Sequence, residues 1–400
     1  MGLPRVVSVN GTPSECGAAY GAATRELAAA NLAAYRRRFR DQAGLEPAAV
    51  RTAGEAFRAA TLAHHPRVAA MLDGLAEGAG LPVSELYALN ARTELLYGHP
   101  DPGAVRAEPA EREPSARRRG ASRAVDRPER ESQGCTAIGV LGTHTATGHL
   151  LLAQNWDWHP DQVDAILLLR TTDERGHTVL SLAEAGMLAK TGLNSAGVGQ
   201  CLTMLACDRD GLGSARPAGV PYHVLARASL EAGSLGWALR AVCRSPRNAS
   251  VNLLLGQAGD SAGPAGGELI DLELVPGDVG WLHPADGLIT HANHLETGLP
   301  VADIQKEWGG SSLFRSARAR RLLAETVAAG KTVPEDLAAV LVDHASFPHS
   351  ICRHQDPALP PLEHSLSVCS VLLDLDARRL GFAPGPPCQH SYTWLDLAAG

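Results

Sequence analysis

The feature that most limits how this chain can fold is an abrupt change of pattern at Gly134-Cys135. From Pro100 to Gln133 the sequence PDPGAVRAEPAEREPSARRRGASRAVDRPERESQ holds no Leu, Ile or aromatic residue and alternates Arg with Glu. Such a stretch buries too little to offset the entropy of ordering it, so a disordered, exposed linker is expected over 101–133. At Cys135 the pattern becomes CTAIGVLGTHTATGHLLLAQNWDW, which reads as two strands joined by a polar, Gly-containing turn. The chain is therefore expected to divide into an N-terminal helical part (1–100), the linker (101–133) and a catalytic core (134–400). An exposed peptide bond meets the start of a strand at one spot.

Upstream, residues 12–38 carry Tyr20, Leu27, Leu32 and Tyr35 at helical spacing among many alanines. Further helices are expected near 47–75 and 82–97. Downstream, VDAILLLRTT, HTVLSLAEAG and GVGQCLTML predict an antiparallel meander. Helical spacing returns between Pro221 and Arg244, with a break at Gly233-Ser234. VNLLLGQAG, GELIDLELV and GLITHANHL read as strands, SSLFRSARARRLLAETVAAG and VPEDLAAVLVDHA as helices, and SVCSVLLDLDARRLGFA as a closing hairpin. Strands and helices in separate groups predict an α+β fold, and two stacked sheets would make it a four-layer α-β-β-α sandwich with an N-terminal helical segment.

Apolar residues at 45% and charged residues at 20% describe a globular chain. A net charge of -7 argues against a nucleic-acid partner, which needs a positive footprint. The triplet Arg117, Arg118, Arg119 does not change that, because neighbouring acids nearly cancel it. No run reaches the ~20 apolar residues of a membrane helix, so no membrane association is expected. The start, MGLPRVVSVNG, lacks the apolar run of a secretory signal, which makes cytoplasmic residence the default expectation. The eight cysteines stand far apart with no CxxC pair, and most are expected to be reduced and buried. His291 and His294 lack an HExxH-type context, and no metal or other cofactor is expected.

A lone Cys is most often a small buried hydrophobe. Context singles out Cys135: it follows Gly134, ends the linker and begins a strand. A thiol there can attack the preceding carbonyl, shift the acyl group from nitrogen to sulfur and let water release a new N-terminus, with Gly134 tolerating the close approach. The freed α-amino group has a reference pKa of about 7.7 to 8 and can serve as base for its own thiol. No GxSxG elbow offers another nucleophile.

The run from GCTAIGV through AQNWDW, with EAGMLAKTGLNSAGVG, RPAGVPYHVLAR, THANH and FPHSICR, resembles the acyl-coenzyme A:6-aminopenicillanic acid acyltransferase family of self-processing cysteine peptidases. YGAATRE and LNARTELLY resemble that family's N-terminal part, whereas the Arg/Glu linker looks like an insertion. The resemblance implies the N-terminal-nucleophile (Ntn) hydrolase fold, a zymogen cut between Gly134 and Cys135, and an acyl group carried on Cys135. The acyl group would pass to water or to an amine from a small-molecule amide or thioester, with acyl-coenzyme A open as a substrate. The small and large chains would stay associated, and a homo-oligomer is compatible with the sequence.

By the same resemblance, Asp157 would hold the new amino group or a substrate amine, its plain alternative being a strand-end cap. Asn293 would donate to the developing oxyanion, or else tie strands together. Arg353 would orient Asp157 or an acidic substrate group, or form a structural ion pair. Glu184, Lys190, Asn194 and Ser195 match a further block as supporting residues, with turns and buried ion pairs as their plain alternative. Trp156 and Trp158 read as pocket wall. Arg315, Arg318, Arg320 and Arg321 spread around a helix, as on a solvated face, the alternative being a contact to acyl-coenzyme A phosphates. Two other readings remain at this stage: an uncleaved, non-catalytic small-molecule binding protein on the same fold, and a metal-dependent hydrolase that would survive Cys135→Ala.

Overall fold

The computed structural model describes residues 5–98, 134–212, 217–259, 267–308 and 310–398. The expected linker at 101–133 lies outside the described residues. In the N-terminal part, β1 (Arg5–Gly11) precedes α1 (Pro13–Ala23), α2 (Arg25–Asp41), α3 (Pro47–His64), α4 (Pro66–Ala79), α5 (Val83–Asn90) and α6 (Arg92–Tyr97). The core opens with β2 (Gly134–Val140), β3 (Leu151–Trp158), β4 (Ile166–Asp173), β5 (Thr178–Glu184), β6 (Gly192–Asn194) and β7 (Val198–Met204). It continues through α7 (Tyr222–Leu230), α8 (Leu235–Cys243), β8 (Val251–Gln257), β9 (Glu268–Val275), β10 (Asp278–Leu282) and β11 (Leu288–His291). After α9 (Ile304–Trp308), α10 (Ser312–Ala328) and α11 (Pro334–Leu341), the described chain closes with β12 (Leu366–Asp374), β13 (Arg379–Pro384) and β14 (Thr393–Asp396).

Two sheets result. The first runs β1-β4-β5-β6-β7-β8-β9-β10 and the second β11-β2-β3-β12-β13-β14. Strands β2 and β3 pack on β7 across the sheet interface, α1, α7 and α8 cover the first sheet, and α10 and α11 cover the second. This is the four-layer α-β-β-α sandwich, and it explains why β2 and β3 are buried along their whole length. Each has a sheet on one face and helices on the other. One apolar cluster fills the space between the sheets and under the N-terminal helices; a second, with Ile138, Leu151, Leu323 and Leu337, lies beneath α10 and α11. Gln154 of β3 crosses the interface, donating to the Leu202 carbonyl and accepting from Leu202 N at 3.0 Å.

Four expectations need correction. The N-terminal part is not purely helical, because β1 pairs in parallel with β4 over seven residues, Arg5 to Gly11 against Leu167 to Asp173. The helix expected over 12–38 is two helices: α1 starts with a Thr12/Glu15 capping box and Pro13 in its first turn, and it ends at Thr24, whose hydroxyl turns back to donate to the Tyr20 carbonyl at 2.8 Å. The helical stretches expected over 47–75 and 82–97 are likewise divided, the first at His65-Pro66, since Pro66 has no N–H to continue it, and the second at Ala91. Among the described residues, no helix is long and apolar enough to cross a membrane.

Candidate active site

Cys135 is the second residue of β2, opposite Trp156 of β3, with Gly134 opposite Asp157. The sandwich thus sets the Gly134-Cys135 bond at the end of an inner strand, against a narrow pocket. Gly134, Cys135, Asp157 and Lys190 supply its polar side, and Trp156, Trp158, Leu182, Leu202 and Met204 form apolar wall. The expected wall role of the two tryptophans fits this placement.

Two networks converge on the bond. On one side the Cys135 N–H donates to Asn293 Oδ1 at 2.7 Å, and Arg315 Nη2 donates to the same oxygen at 2.7 Å. Arg315 Nη1 also donates to the Cys135 carbonyl and to Thr136 Oγ1. Two donors facing one amide atom require it to be the oxygen, and Asn293 Nδ2 is used by the Met204 carbonyl at 2.9 Å. The amide oxygen thus accepts from the nucleophile's own nitrogen, while Nδ2, the atom that the oxyanion-donor role expected for Asn293 would use, donates to the Met204 carbonyl.

On the other side, Asp157 Oδ1 accepts from Ser367 Oγ at 2.6 Å, and Asp157 Oδ2 lies 3.5 Å from Arg353 Nε. Arg353 is buried and held by Ser311 Oγ at 3.0 Å and Ser365 Oγ at 3.3 Å. A Cβ on Gly134 would meet Asp157 Oδ2 at 2.7 Å and Arg353 Nη2 at 3.1 Å, so this ion pair brackets the glycine closely. Burial holds the Asp157 carboxyl above its ordinary value despite Arg353 and Arg315. Burial, with help from Asp157, likewise pushes the Cys135 thiol up, against the pull of Arg315 and Lys190.

Behind the pocket, Glu184 collects Arg92 Nη2 at 2.9 Å, Lys190 Nζ at 3.0 Å and the Tyr35 hydroxyl at 2.7 Å. Burial opposes its charge, yet Arg92 and Lys190 outweigh that and bring its carboxyl below the ordinary value. Lys190, 4.1 Å from the Trp156 ring centroid, is brought down to about 8 by burial and by the Arg92 charge, Glu184 opposing. Arg92 stacks 3.9 Å from the Trp158 centroid. Two side chains of the N-terminal part, Arg92 and Tyr35, thus stand behind the pocket wall, against Glu184 and Trp158.

Glu184 and Lys190 are thus gathered at the site, whereas Asn194 and Ser195 are not. Asn194 Nδ2 donates to the Leu230 and Ala232 carbonyls at 2.8 Å, tying a turn to the end of α7, and Ser195 is exposed, its Oγ accepting from Thr178 N. His291 and His294 stand outside the pocket lining, with His291 bonded to Glu273 at 2.9 Å. Sequence reasoning missed Arg92 and misplaced Arg315, which is 1% exposed and not on a solvated face. The eight cysteines are free, six of them buried.

A family model for acyl-coenzyme A:6-aminopenicillanic acid acyl-transferase matches residues 144–382, a stretch that begins after Cys135. The 40 kDa form of acyl-coenzyme A:6-aminopenicillanic-acid-acyltransferase from Emericella nidulans is 28% identical over 292 residues, 72% of this chain and 67% of the relative. Among solved structures, a mutant conjugated bile acid hydrolase from Clostridium perfringens aligns with a TM-score of 0.43 and 11% identity, over 65% of this chain and 92% of that one. Penicillin V acylase from Agrobacterium tumefaciens aligns with a TM-score of 0.42 and 14% identity, over 66% of this chain and 86% of that one. With more than half of its length matched by the family model, the chain belongs to the acyl-coenzyme A:6-aminopenicillanic acid acyl-transferase family.

Proposed function

We propose that the chain is the precursor of an Ntn amidohydrolase or acyltransferase that cuts itself between Gly134 and Cys135 and then uses Cys135 as nucleophile. The observation that carries this reading is the Gly134-Cys135 bond itself, exposed to the pocket and bracketed by Asn293 on the cysteine side and by Asp157 and Arg353 on the glycine side. In the first step Cys135 Sγ attacks the Gly134 carbonyl, the C–N bond breaks, and the thiol proton passes to the departing nitrogen. Water then hydrolyses the thioester, leaving the Gly134 carboxylate and an N-terminal Cys135 with a free thiol.

In the mature enzyme the α-amino nitrogen stays on Asn293 Oδ1, while Asp157 Oδ2, which accepts no hydrogen bond from the precursor's described residues, faces the position vacated by Gly134. These two oxygens can hold the amino group as it takes the thiol proton. The Arg315 and Lys190 charges favour the thiolate. Sγ then displaces an amine or thiol from an acyl donor, whose apolar part fits against Trp156, Leu182, Leu202 and Met204, and water or an amine collects the acyl group. Hydrolysis asks less of the site, since transfer also requires water to be excluded while the second substrate waits.

Intact mass and N-terminal sequencing of the wild type beside Cys135→Ala test the proposal. Two wild-type fragments, one beginning Cys135-Thr136, with an uncut variant are expected. A stable, uncut wild type would instead point to a binding protein on the same fold.

A further inference from the structure

Four metal-ligating side chains meet in the irregular part of the core. His344, Cys352 and His354 lie between α11 and β12, and Cys388 lies in the loop between β13 and β14. One ligand atom from each falls within 4.8 Å of all the others. His354 Nε2 is 3.1 Å from His344 Nε2, 3.3 Å from Cys388 Sγ and 3.5 Å from Cys352 Sγ. Hydrogen bonding accounts for this arrangement poorly, because a single ring nitrogen has either one proton or one lone pair to offer, and three polar atoms crowd it. A cation at the centre would serve all four at once.

The distances match such an ion. With Zn–N of about 2.0–2.1 Å and Zn–S of about 2.3 Å, tetrahedral geometry puts two nitrogens about 3.4 Å apart and nitrogen and sulfur about 3.6 Å apart. Two thiolates also neutralise a divalent charge, and two imidazoles complete a closed four-coordinate shell of the structural type. The surroundings give it a purpose. Residues 342–365 hold only one short 3-10 turn, at Pro361–Glu363, and a stretch that long without regular structure needs other fastening. Arg353, which pairs with Asp157, sits between two of the four residues.

We propose that His344, Cys352, His354 and Cys388 bind one zinc ion, which pins the segment carrying Arg353 to the loop after β13. Each thiol gives up its proton on binding. His344 and Cys388 are exposed, so the ion has a way in. The sequence reading, which expected no metal, overlooked this set because its ligands are spread from 344 to 388 with no CxxC spacing.

The test uses the untagged full-length chain purified under reducing conditions, with zinc measured by mass spectrometry. About one zinc per chain is expected in the wild type and in Cys135→Ala, and none in Cys388→Ser or His344→Ala. Cobalt(II) exchanged into the wild type should give thiolate charge-transfer and tetrahedral d–d bands that Cys388→Ser lacks, and a chelator should lower the wild-type Tm by several degrees without moving that of Cys388→Ser. A metal-free wild type with both thiols titratable and no cobalt bands would overturn the proposal. So would a Cys352–Cys388 disulfide, or a Cys388→Ser variant that keeps its full zinc.

Discussion

A methyl group on Gly134 would lie 2.7 Å from Asp157 Oδ2 and 3.1 Å from Arg353 Nη2, and neither neighbour can yield easily, because Ser367 holds the one and Ser311 and Ser365 the other. Gly134→Ala should therefore displace the bond from its bracket at a cost of about 1–3 kcal/mol, which slows self-cleavage roughly tenfold to a hundredfold. The rate at which the fragment beginning at Cys135 accumulates after synthesis measures this, and a rate equal to the wild type's would remove Gly134 from the argument. At this scale Cys135, Asp157, Asn293 and Arg353 were legible because each sits in a short motif, and all four do gather at one bond. Which atom of Asn293 faces the cysteine was not legible, since it depends on Arg315 arriving from another helix. Arg315 itself had a signal in the sequence: it lies on the same helical stripe as Ser312, Ser316, Ala319 and Leu323, all buried. The neighbouring arginines at 318, 320 and 321 hid that phase. Arg92 carried no signal beyond its motif, because its partners Glu184 and Trp158 lie far along the chain.

Between elements, the two sheets are joined by a buried charge pair, His291 at the end of β11 and Glu273 in β9. Burial opposes the imidazolium, but Asp271 and Glu273 outweigh it and carry His291 up to about 9. Both ring nitrogens face acceptors, Glu273 Oε1 at 2.9 Å and the Ala292 carbonyl at 3.0 Å, as a doubly protonated ring requires. The folded protein thus keeps this proton to a higher pH than the unfolded chain, whose histidine titrates near 6.5. The stabilisation, about 3 kcal/mol, is complete below that value and is lost as pH rises through about 9. Urea midpoints for the wild type and His291→Gln at pH 6 and pH 9.5 should show a large gap that narrows at the higher pH; a constant gap would contradict the assignment. Long apolar runs such as those of β4, β7 and β9 stood out, whereas β1, β6, β10 and β14, short or half-exposed, did not. Nor could it be read which strand belongs to which of the two sheets, because strands buried on both faces show no alternation to tell an inner face from an outer one.

Across the molecule, the proposed cut would leave two chains whose contacts are those of a single core. β1 contributes the edge strand beside β4, and α1 packs on both. Tyr20 donates to the Met187 carbonyl at 3.0 Å, Asn31 to the Ala185 carbonyl at 2.8 Å and Tyr35 to Glu184 at 2.7 Å, all buried. Arg92 completes the set, and loss of the smaller chain would leave Glu184 and Lys190 buried without both Arg92 and Tyr35. Breaking such a network by taking out one member costs about 3–5 kcal/mol, before any loss of apolar contact is added. The two fragments should therefore elute together on size exclusion and separate only in denaturant, and 134–400 expressed alone should be insoluble or unfolded. Arg92→Met isolates the charge network from the apolar contact: it should lower Tm by several degrees while the fragments still elute together. Separation of the native fragments at micromolar concentration would mean that the N-terminal part is a dispensable leader and that Arg92 does not belong to the working site.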